Sequence, residues 1–400
     1  MHDDALLAEA RDVLPDVIAL RRRIHANPEL GLENPETQRA VLGALEGLPL
    51  EIETSRATTG VVATLEGERD GPTLLLRADT DALPLREETG LPFASEREGT
   101  MHACGHDAHT AMLVGAARIL SRHRDAVAGT VKLLFQPGEE GYGGARVLIE
   151  EGLLERAPRV DAAFAIHVDP TLSPGAVALR PGPILAAADV FGIDIAGRGG
   201  HASMPHHAVD PVPVACELVM ALQSFVTRRV DAFDPVVVSV TRIDAGTTHN
   251  VIPATAHLAG TVRSVSERAR RAAHDGIRRV TRGIAAAHDV KADVNILEGY
   301  PVTCNDAAFA AFTRDVAGAL FGERAVVEMP APIMGAEDFS YILDRVPGAM
   351  VFLGVSPGGD AAPIHSNRMV LEESAMASGI ALHVRMALEF LARGGALGAR

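Results

Sequence analysis

The segment MHACGHDAHTA, residues 101–111, places histidine, cysteine and aspartate at a spacing that could bind a metal ion. Residues two apart on an extended backbone project to the same side, so Cys104 and His106 could reach one ion. Thiolate and neutral imidazole are ligands for zinc and similar divalent metals. A polar turn before a helix, with Asp107 as its N-cap, explains the same residues equally well. This segment alone therefore leaves a metal site and a helix start as alternatives.

Two adjacent glutamates, Glu139 and Glu140 in FQPGEEG, follow a predicted buried strand and precede a predicted helix. One carboxylate could bind a metal ion while the other accepts a proton from a water within hydrogen-bond reach. A bound metal would lower the pKa of that water towards neutrality. An acidic first helical turn, which the helix dipole favours, is the structural alternative.

Further polar side chains stand at the ends of predicted strands or in loops. His167 ends the strand AAFAIHV, and His365 lies in the loop APIHSN. A single histidine in either setting is more often structural or solvated than a ligand. Asp79 and Asp81 alternate in RADTD, where they could be metal ligands, could orient ligands by hydrogen bonds, or could form a strand-end turn.

The elements that must position these residues alternate between strand and helix. The apolar runs PTLLLRAD, GTVKLLFQP and DAAFAIHV predict buried strands, and HTAMLVGAARILSRHR predicts a helix. Such alternation indicates βαβ units with a mostly parallel sheet. Open sheets of this kind place their sites just beyond the strand ends, where the polar residues stand.

The middle of the chain has a different order of elements. Strand, helix, two strands, helix and strand follow one another over residues 187–298, which is a ferredoxin-like βαββαβ unit. We therefore predict a larger α/β domain in two parts, residues 1–186 and 299–400, with a small domain inserted between them. The segment GRGGHASMP resembles a dinucleotide-binding loop, but Pro205 separates its glycines from the next predicted helix, near Asp210. The glycines are better explained as a sharp turn that presents His201.

The composition excludes several classes of function. At 400 residues the chain is longer than one core usually serves, so two domains are expected. A net charge of −15 is unfavourable for nucleic-acid binding. Three widely spaced cysteines form no disulfide framework, the acidic N-terminus is unlike a signal peptide, and no apolar run is long enough to cross a bilayer. We therefore expect a cytoplasmic protein without nucleic-acid or membrane partners.

Taken together, segments along nearly the whole chain resemble the M20 metallopeptidase family. The resemblance is to its amidohydrolase branch, which includes hippurate hydrolases, N-acyl-amino-acid deacylases and plant auxin-conjugate hydrolases. The matching segments are RRRIHANPELGLEN, LLLRADTDALP, MHACGHDAHTAMLVGAA, LLFQPGEEGYGGA, GRGGHASMPHHAVDP, NVIPATAHLAGTVR, MGAEDFSYIL and PIHSN.

This resemblance implies two divalent metal ions per subunit (manganese, zinc or cobalt) bridged by a water. The metal ligands that it implies are Cys104, His106, Glu140, His167 and His365. They leave His102 and His109 outside the ligand set.

The resemblance also implies which residues act on the substrate. Glu139 is the implied catalytic base, and Asp81 has an orienting role near the metal ligands. His201 and Asn250 match small-domain residues that contact the substrate, often from a partner subunit. Arg263 is a candidate for carboxylate recognition, although an exposed strand arginine explains it at least as well.

The implied function is a metal-dependent amidohydrolase that cleaves N-acyl-amino acids, such as N-acetyl or N-benzoyl compounds, into a carboxylic acid and an amino acid. A homodimer through the inserted domain is expected, and a tetramer is possible. A dipeptidase or carboxypeptidase would use the same site. A thiol enzyme with Cys104 as nucleophile and a non-catalytic ligand-binding module are the alternatives from other classes.

Overall fold

The computed structural model describes residues 2–397 and divides them into two compact units. The large unit runs to Ile184 and resumes over Cys304–Ala331 and from Asp338 onward. The small unit comprises Leu185–Thr303 and Pro332–Glu337. The insertion predicted over 187–298 lies inside the small unit.

Within residues 2–397 the α-helices are, in chain order, α1 (Asp3–Ala26), α2 (Pro35–Leu45), α3 (His106–Arg122), α4 (Gly144–Glu150), α5 (Pro211–Arg229), α6 (Glu267–Ala287), α7 (Ala307–Phe321), α8 (Ser340–Leu343) and α9 (Met376–Ala392). The strands are β1 (Glu51–Thr54), β2 (Val61–Glu66), β3 (Arg69–Asp79), β4 (Ala128–Gln136), β5 (Ala162–Asp169), β6 (Val177–Leu179), β7 (Gly182–Leu185), β8 (Ala187–Ala196), β9 (Gly200–His201), β10 (Val236–Ala245), β11 (Val251–Ile252), β12 (Thr255–Ser264), β13 (Lys291–Glu298), β14 (Thr303–Asn305), β15 (Val326–Glu328) and β16 (Gly348–Gly354).

The large unit is built on an eight-stranded sheet with the order β1-β2-β4-β3-β5-β16-β6-β15. Its central strands β4, β3, β5 and β16 are parallel, and antiparallel pairings flank them on both sides. The central strands read as apolar runs because both of their faces are covered. The carboxyl ends of β3, β4 and β5 consequently meet at one edge, as the sequence predicts.

Helices α1, α3 and α9 pack together over this sheet and complete the main core. The segment Glu373–Ala392, which contains α9, is the one stretch within residues 2–397 whose length and composition would suit a membrane span, with 83% of its apolar window buried. The sequence prediction that no apolar run is long enough to cross a bilayer is therefore wrong as far as length and composition are concerned. Its burial identifies the helix as a core element of the large unit.

The small unit is a four-stranded antiparallel sheet with the order β10-β12-β8-β13. Alternate residues of β8 are buried, and this face packs against α5 and α6. Side chains cap both helices: Asp210 accepts from Val212 N at 2.9 Å, and Ser266 accepts from Ala269 N at 3.0 Å. This order confirms the predicted α/β fold with a ferredoxin-like βαββαβ insertion.

One short segment joins the small unit from far along the chain. The amide of Ala186 donates to Ile333 O at 3.0 Å and to Gly335 O at 2.9 Å. These contacts explain why residues 332–337 belong to the small unit. The periodicity of the sequence does not indicate this membership.

Candidate metal and catalytic site

The predicted metal ligands of the large unit come from the strand ends and from the segment that opens α3. His167 lies near the end of β5, and Cys104 and His106 lie at the start of α3. Glu139 and Glu140 follow β4, and His365 lies in the loop before α9. The structure brings all of them together in groups whose ligand atoms lie within 4.8 Å of one another: Cys104 with His106 and His167, Cys104 with Glu140 and His365, and His106 with Glu139 and Glu140.

Gly105 allows its two neighbours in the chain, Cys104 and His106, to lie close to β5 and its residue His167. Its φ is +88°, and a Cβ atom there would lie 2.3 Å from Val168 Cγ2. Only glycine fits both the left-handed backbone and the close contact with β5. Cys104 and His106 are consequently buried together, with Cys104 Sγ 3.4 Å from His167 Nε2.

His106 is oriented as a metal-binding imidazole would be. Its Nδ1 donates to the backbone oxygen of Asp81 at 2.8 Å. Its buried Nε2 has no hydrogen-bond partner within residues 2–397 and lies 3.6 Å from Asp79 Oδ2 and 4.0 Å from Glu140 Oε1. An unpaired buried nitrogen is costly in itself, but a bound cation would use its lone pair. The donor set of thiolate, imidazole and carboxylate therefore fits divalent metal ions.

Asp81 fixes the turn that carries the two glutamates. Its Oδ1 accepts from Glu139 N at 2.9 Å, and its Oδ2 accepts from Glu140 N at 3.0 Å. Glu139 and Asp81 are both buried. The carboxylate of Asp81 thus holds the backbone, so that the side chains of both glutamates remain directed towards the ligand cluster.

His365 closes the cluster from its open side. Its Nε2 lies 3.3 Å from Glu140 Oε1, and 52% of its side chain is exposed. Its φ of +63° is unusual for a residue other than glycine, and its amide donates to Ala103 O at 2.8 Å. A strained backbone of this kind is often held in place at functional sites.

The negative charge of the Cys104 thiolate and the positive charge of the His167 imidazolium stabilise each other. Burial opposes ionisation of the Cys104 thiol, but the positive charges of His167 and His106 outweigh burial and lower its pKa to about 6. Burial also disfavours the charged form of His167, but the Cys104 thiolate raises the pKa of that histidine to about 9. A metal requires thiolate and neutral imidazole, so its binding would displace the proton that this pair holds.

His109 has both ring nitrogens engaged within the protein. Its Nδ1 donates to Asp79 Oδ1 at 2.5 Å, and its Nε2 accepts from Val168 N at 2.9 Å. Because Val168 follows His167 on β5, His109 holds the end of the strand that presents His167.

The structure contradicts the alternative in which Asp107 is the N-cap of α3. The helix begins at His106, its N-cap is Gly105, and no side chain caps it. The buried carboxylate of Asp107 instead accepts from Arg21 Nε at 2.9 Å and from His25 Nδ1 at 2.8 Å. Partners from α1 therefore take the carboxylate that a local cap would have used.

A second buried network, which the sequence patterns do not predict, supports the same strand ends. Arg77 donates from Nε to Gln136 Oε1 at 3.0 Å and from Nη2 to Asp338 Oδ1 at 2.9 Å. Asp338 also accepts from Gln136 Nε2 at 2.8 Å and from Ala145 N at 2.9 Å. The network joins β3 and β4 to the start of α4, on either side of the glutamate turn. An arginine within the apolar run TLLLRAD was a signal that could have indicated it.

The small unit brings two of its three predicted residues together. His201 lies on β9, which pairs with β11, and Ala202 N donates to Asn250 O at 3.1 Å. Both side chains are exposed. Arg263 is near the far end of β12, paired with Val237 and Ala188. Its position is eight residues beyond Thr255, roughly 25 Å along the strand, so the structure does not bring it close to this pair.

Comparison with known proteins places these features in a family. The model of peptidase family M20/M25/M40 matches residues 75–389. The chain is 40% identical over 362 residues to an N-acetyl-L-cysteine deacetylase of Bacillus subtilis, covering 90% of this chain and 84% of that protein. It is 37% identical over 393 residues to thermostable carboxypeptidase 2 of Saccharolobus solfataricus, covering 97% of this chain and 98% of that protein.

A solved structure agrees with the sequence relatives. The YXEP protein of Bacillus subtilis, described as a dinuclear metal-binding peptidase of the M20 family, superposes with a TM-score of 0.84 at 35% identity. The match covers 96% of this chain and 99% of that one.

Proposed function

This chain belongs to peptidase family M20/M25/M40, in its amidohydrolase branch, and we propose that it hydrolyses N-acyl-amino acids to a carboxylic acid and a free amino acid. The observation that carries the proposal is the glutamate turn. Asp81 anchors both amides of the turn, and this places Glu139 beside Glu140 and His106. A buried carboxylate beside candidate metal ligands is the arrangement that hydrolysis by an activated water requires.

We propose that two divalent ions bind per subunit, with manganese, zinc or cobalt as the candidates. The ligands would be Cys104, His106, Glu140, His167 and His365. When bound, the ions would polarise the scissile carbonyl and make a water acidic enough to deprotonate near neutral pH.

The protein's own groups would then move the proton. The carboxylate of Glu139 accepts a proton from the attacking water and later donates it to the amine of the leaving amino acid. Asp81 keeps this carboxylate in place through the backbone, so it acts as a positioning residue. Cys104 is a ligand in this account, which distinguishes it from a thiol enzyme whose activity would resist chelators and be lost with iodoacetamide.

We propose that the small unit contributes to substrate binding and to a homodimer, with a tetramer as a further possibility. His201 and Asn250 would donate hydrogen bonds to the substrate carboxylate and to the oxygen that becomes negative in the transition state. They would act from the same subunit or from a partner. Arg263 remains a weaker proposal for carboxylate recognition. We also propose that the enzyme is cytoplasmic.

A carboxypeptidase or dipeptidase is the second candidate function. The relative from Saccharolobus solfataricus is named a carboxypeptidase and is 37% identical to this chain. Such an enzyme would use the same groups, and only the acyl part of the substrate would differ.

A substrate panel tests the proposal and separates the two candidates. N-acetyl-amino acids, N-benzoyl-amino acids and unblocked dipeptides would be offered to the metal-loaded protein, with amino-acid release as the measurement. We expect faster hydrolysis of the N-acyl compounds. Faster cleavage of dipeptides would favour the alternative. If Glu139→Ala left the protein's ligand binding intact and no substrate were cleaved by the wild type, a binding module would be the better description.

A further inference from the structure

The large unit contains a cavity of about 160 Å³ between β1, β2, β4 and the segment from α4 to Arg156. Along β4, Val131 and Leu133 face the main core, so Lys132 between them faces the opposite side of the sheet and lines the cavity. The cavity is separate from the metal-ligand cluster, which lies beyond the end of β4.

Lys132 is the unusual feature of this cavity. The chain contains only two lysines among 37 basic residues, and Lys132 is 4% exposed. Its ammonium donates to Arg156 O at 2.9 Å. No carboxylate oxygen within residues 2–397 comes within 4.0 Å of it. A buried ammonium normally has an anionic partner, because removing its charge from water is costly.

The carboxylates that line the cavity are already engaged. Glu53 pairs with the guanidinium of Arg156, and Glu151 Oε1 accepts from the amides of Arg56 and Ala57 at 3.0 Å each. The guanidinium of Arg56 makes no ion pair in the described part of the chain. Three cationic and two anionic side chains therefore line the cavity, which leaves a surplus of one positive charge.

We propose that this cavity binds a small monocarboxylate with an apolar body. The ammonium of Lys132 has two N–H groups left to donate to a carboxylate. The side chains of Val62, Leu148 and Leu153 also line the cavity and offer apolar surface to the rest of the molecule. One carboxylate would balance the surplus charge. This proposal does not depend on the proposed function.

The position of the cavity makes its occupant relevant to the site. Its walls include β4 and α4, the two elements that flank the glutamate turn. A bound carboxylate would therefore contact β4 and α4, the strand and the helix between which the turn with Glu139 and Glu140 lies.

The two lysines allow a direct test in the intact protein. Labelling with [ε-¹³C]lysine gives one signal for Lys132 and one for Lys291, which is exposed on β13 of the small unit. Lys291→Arg assigns both signals without altering the cavity. Titration with benzoate should move the Lys132 signal to saturation and leave the Lys291 signal unchanged, whereas uncharged benzamide should move neither.

Lys132→Met keeps an unbranched side chain, one atom shorter than lysine, and removes its charge. We expect it to weaken benzoate binding at this site roughly tenfold or more, the effect of losing a hydrogen bond to a charged group. If benzoate does not move the Lys132 signal, or if benzamide or chloride moves it equally, the proposal is wrong. The wild-type titration decides the question even if the variant does not fold.

Discussion

The candidate metal ligands of the large unit and the candidate substrate contacts of the small unit are held in opposite ways. His106 is buried, and its Nδ1 donates to the backbone oxygen of Asp81 at 2.8 Å. His201 is exposed, and its Nδ1 accepts from the nearby Ser203, from N at 3.1 Å and from Oγ at 2.8 Å. The large unit thus fixes its ligand geometry in advance, whereas the small unit presents side chains that can reorient on contact with a substrate.

The largest effect should come from the proton acceptor in the buried region. Glu139→Gln keeps the shape of the side chain and removes its basicity. We expect kcat for N-acyl-amino acid hydrolysis to fall about 10²- to 10⁴-fold, with metal content unchanged. Glu150→Gln, on the exposed face of α4, is the matched control. Wild-type kcat in Glu139→Gln would contradict the role assigned to Glu139.

A smaller loss should follow from the exposed hairpin. His201→Ala should lower kcat about 10²- to 10³-fold, the usual cost of removing one transition-state donor. Because the bonds of His201 are local, metal content and Tm should stay at wild-type values. His288→Ala, at an exposed position of the same unit that pairs with Glu217, provides the control. Loss of metal in His201→Ala would remove the contrast between the two regions.

The pH dependence of stability tests the network behind the ligands. Burial disfavours the charged form of His25, but the charge of Asp107 outweighs burial and raises the pKa of His25 from 6.5 to about 9. The folded protein therefore holds this proton more tightly than the unfolded chain does. The resulting stabilisation is complete below about pH 6.5 and is lost as the pH rises through about 9.

Over that window the contribution of His25 to the free energy of unfolding should fall by up to about 3 kcal/mol. The difference in the free energy of unfolding between the wild type and His25→Gln, measured by urea unfolding at each pH, should therefore shrink by that amount. His123→Gln, which removes a more exposed histidine paired with Glu9, should retain the wild-type slope. Equal slopes for the wild type and His25→Gln would show that His25 carries no extra proton in the fold.

The smallest of these effects should come from the residue that anchors the glutamate turn. Asp81→Asn leaves one acceptor oxygen for two amides, so the turn loses one of its two hydrogen bonds. We expect metal affinity to fall roughly 10- to 100-fold, as for other partners that orient ligands. Asp70→Asn, at an exposed position of β3, should have no effect. Unchanged affinity in Asp81→Asn would mean that the turn holds its shape without this carboxylate.

Strand ends and the order of elements could be predicted from the sequence because they depend on local periodicity. The runs ending in Asp79 and His167 are buried strands, and the βαββαβ insertion has the expected sheet. Local rules also favoured Asp107 as a helix cap, but a cap needs the carboxylate to turn back to its own backbone. Arg21 and His25, more than 80 residues away, bind it more strongly.

Other features depend on contacts between distant parts of the chain. Asp338 reaches Gln136 across 202 residues, and no periodicity reports that distance. The same holds for the segment 332–337, which joins the small unit through the amide of Ala186. The burial of Lys132 without a carboxylate partner could not be predicted for another reason. A single lysine in an apolar run is compatible with a strand, but the sequence does not show which groups surround its ammonium.

Removal of metal tests directly whether hydrolysis depends on bound divalent ions. The protein would be stripped with EDTA, dialysed and given manganese, zinc or cobalt one at a time, while bound metal and hydrolysis of N-acetyl- and N-benzoyl-amino acids are measured together. We expect activity to be lost on stripping and to recover as two ions fill each subunit. A stripped protein that kept its full rate would contradict this expectation.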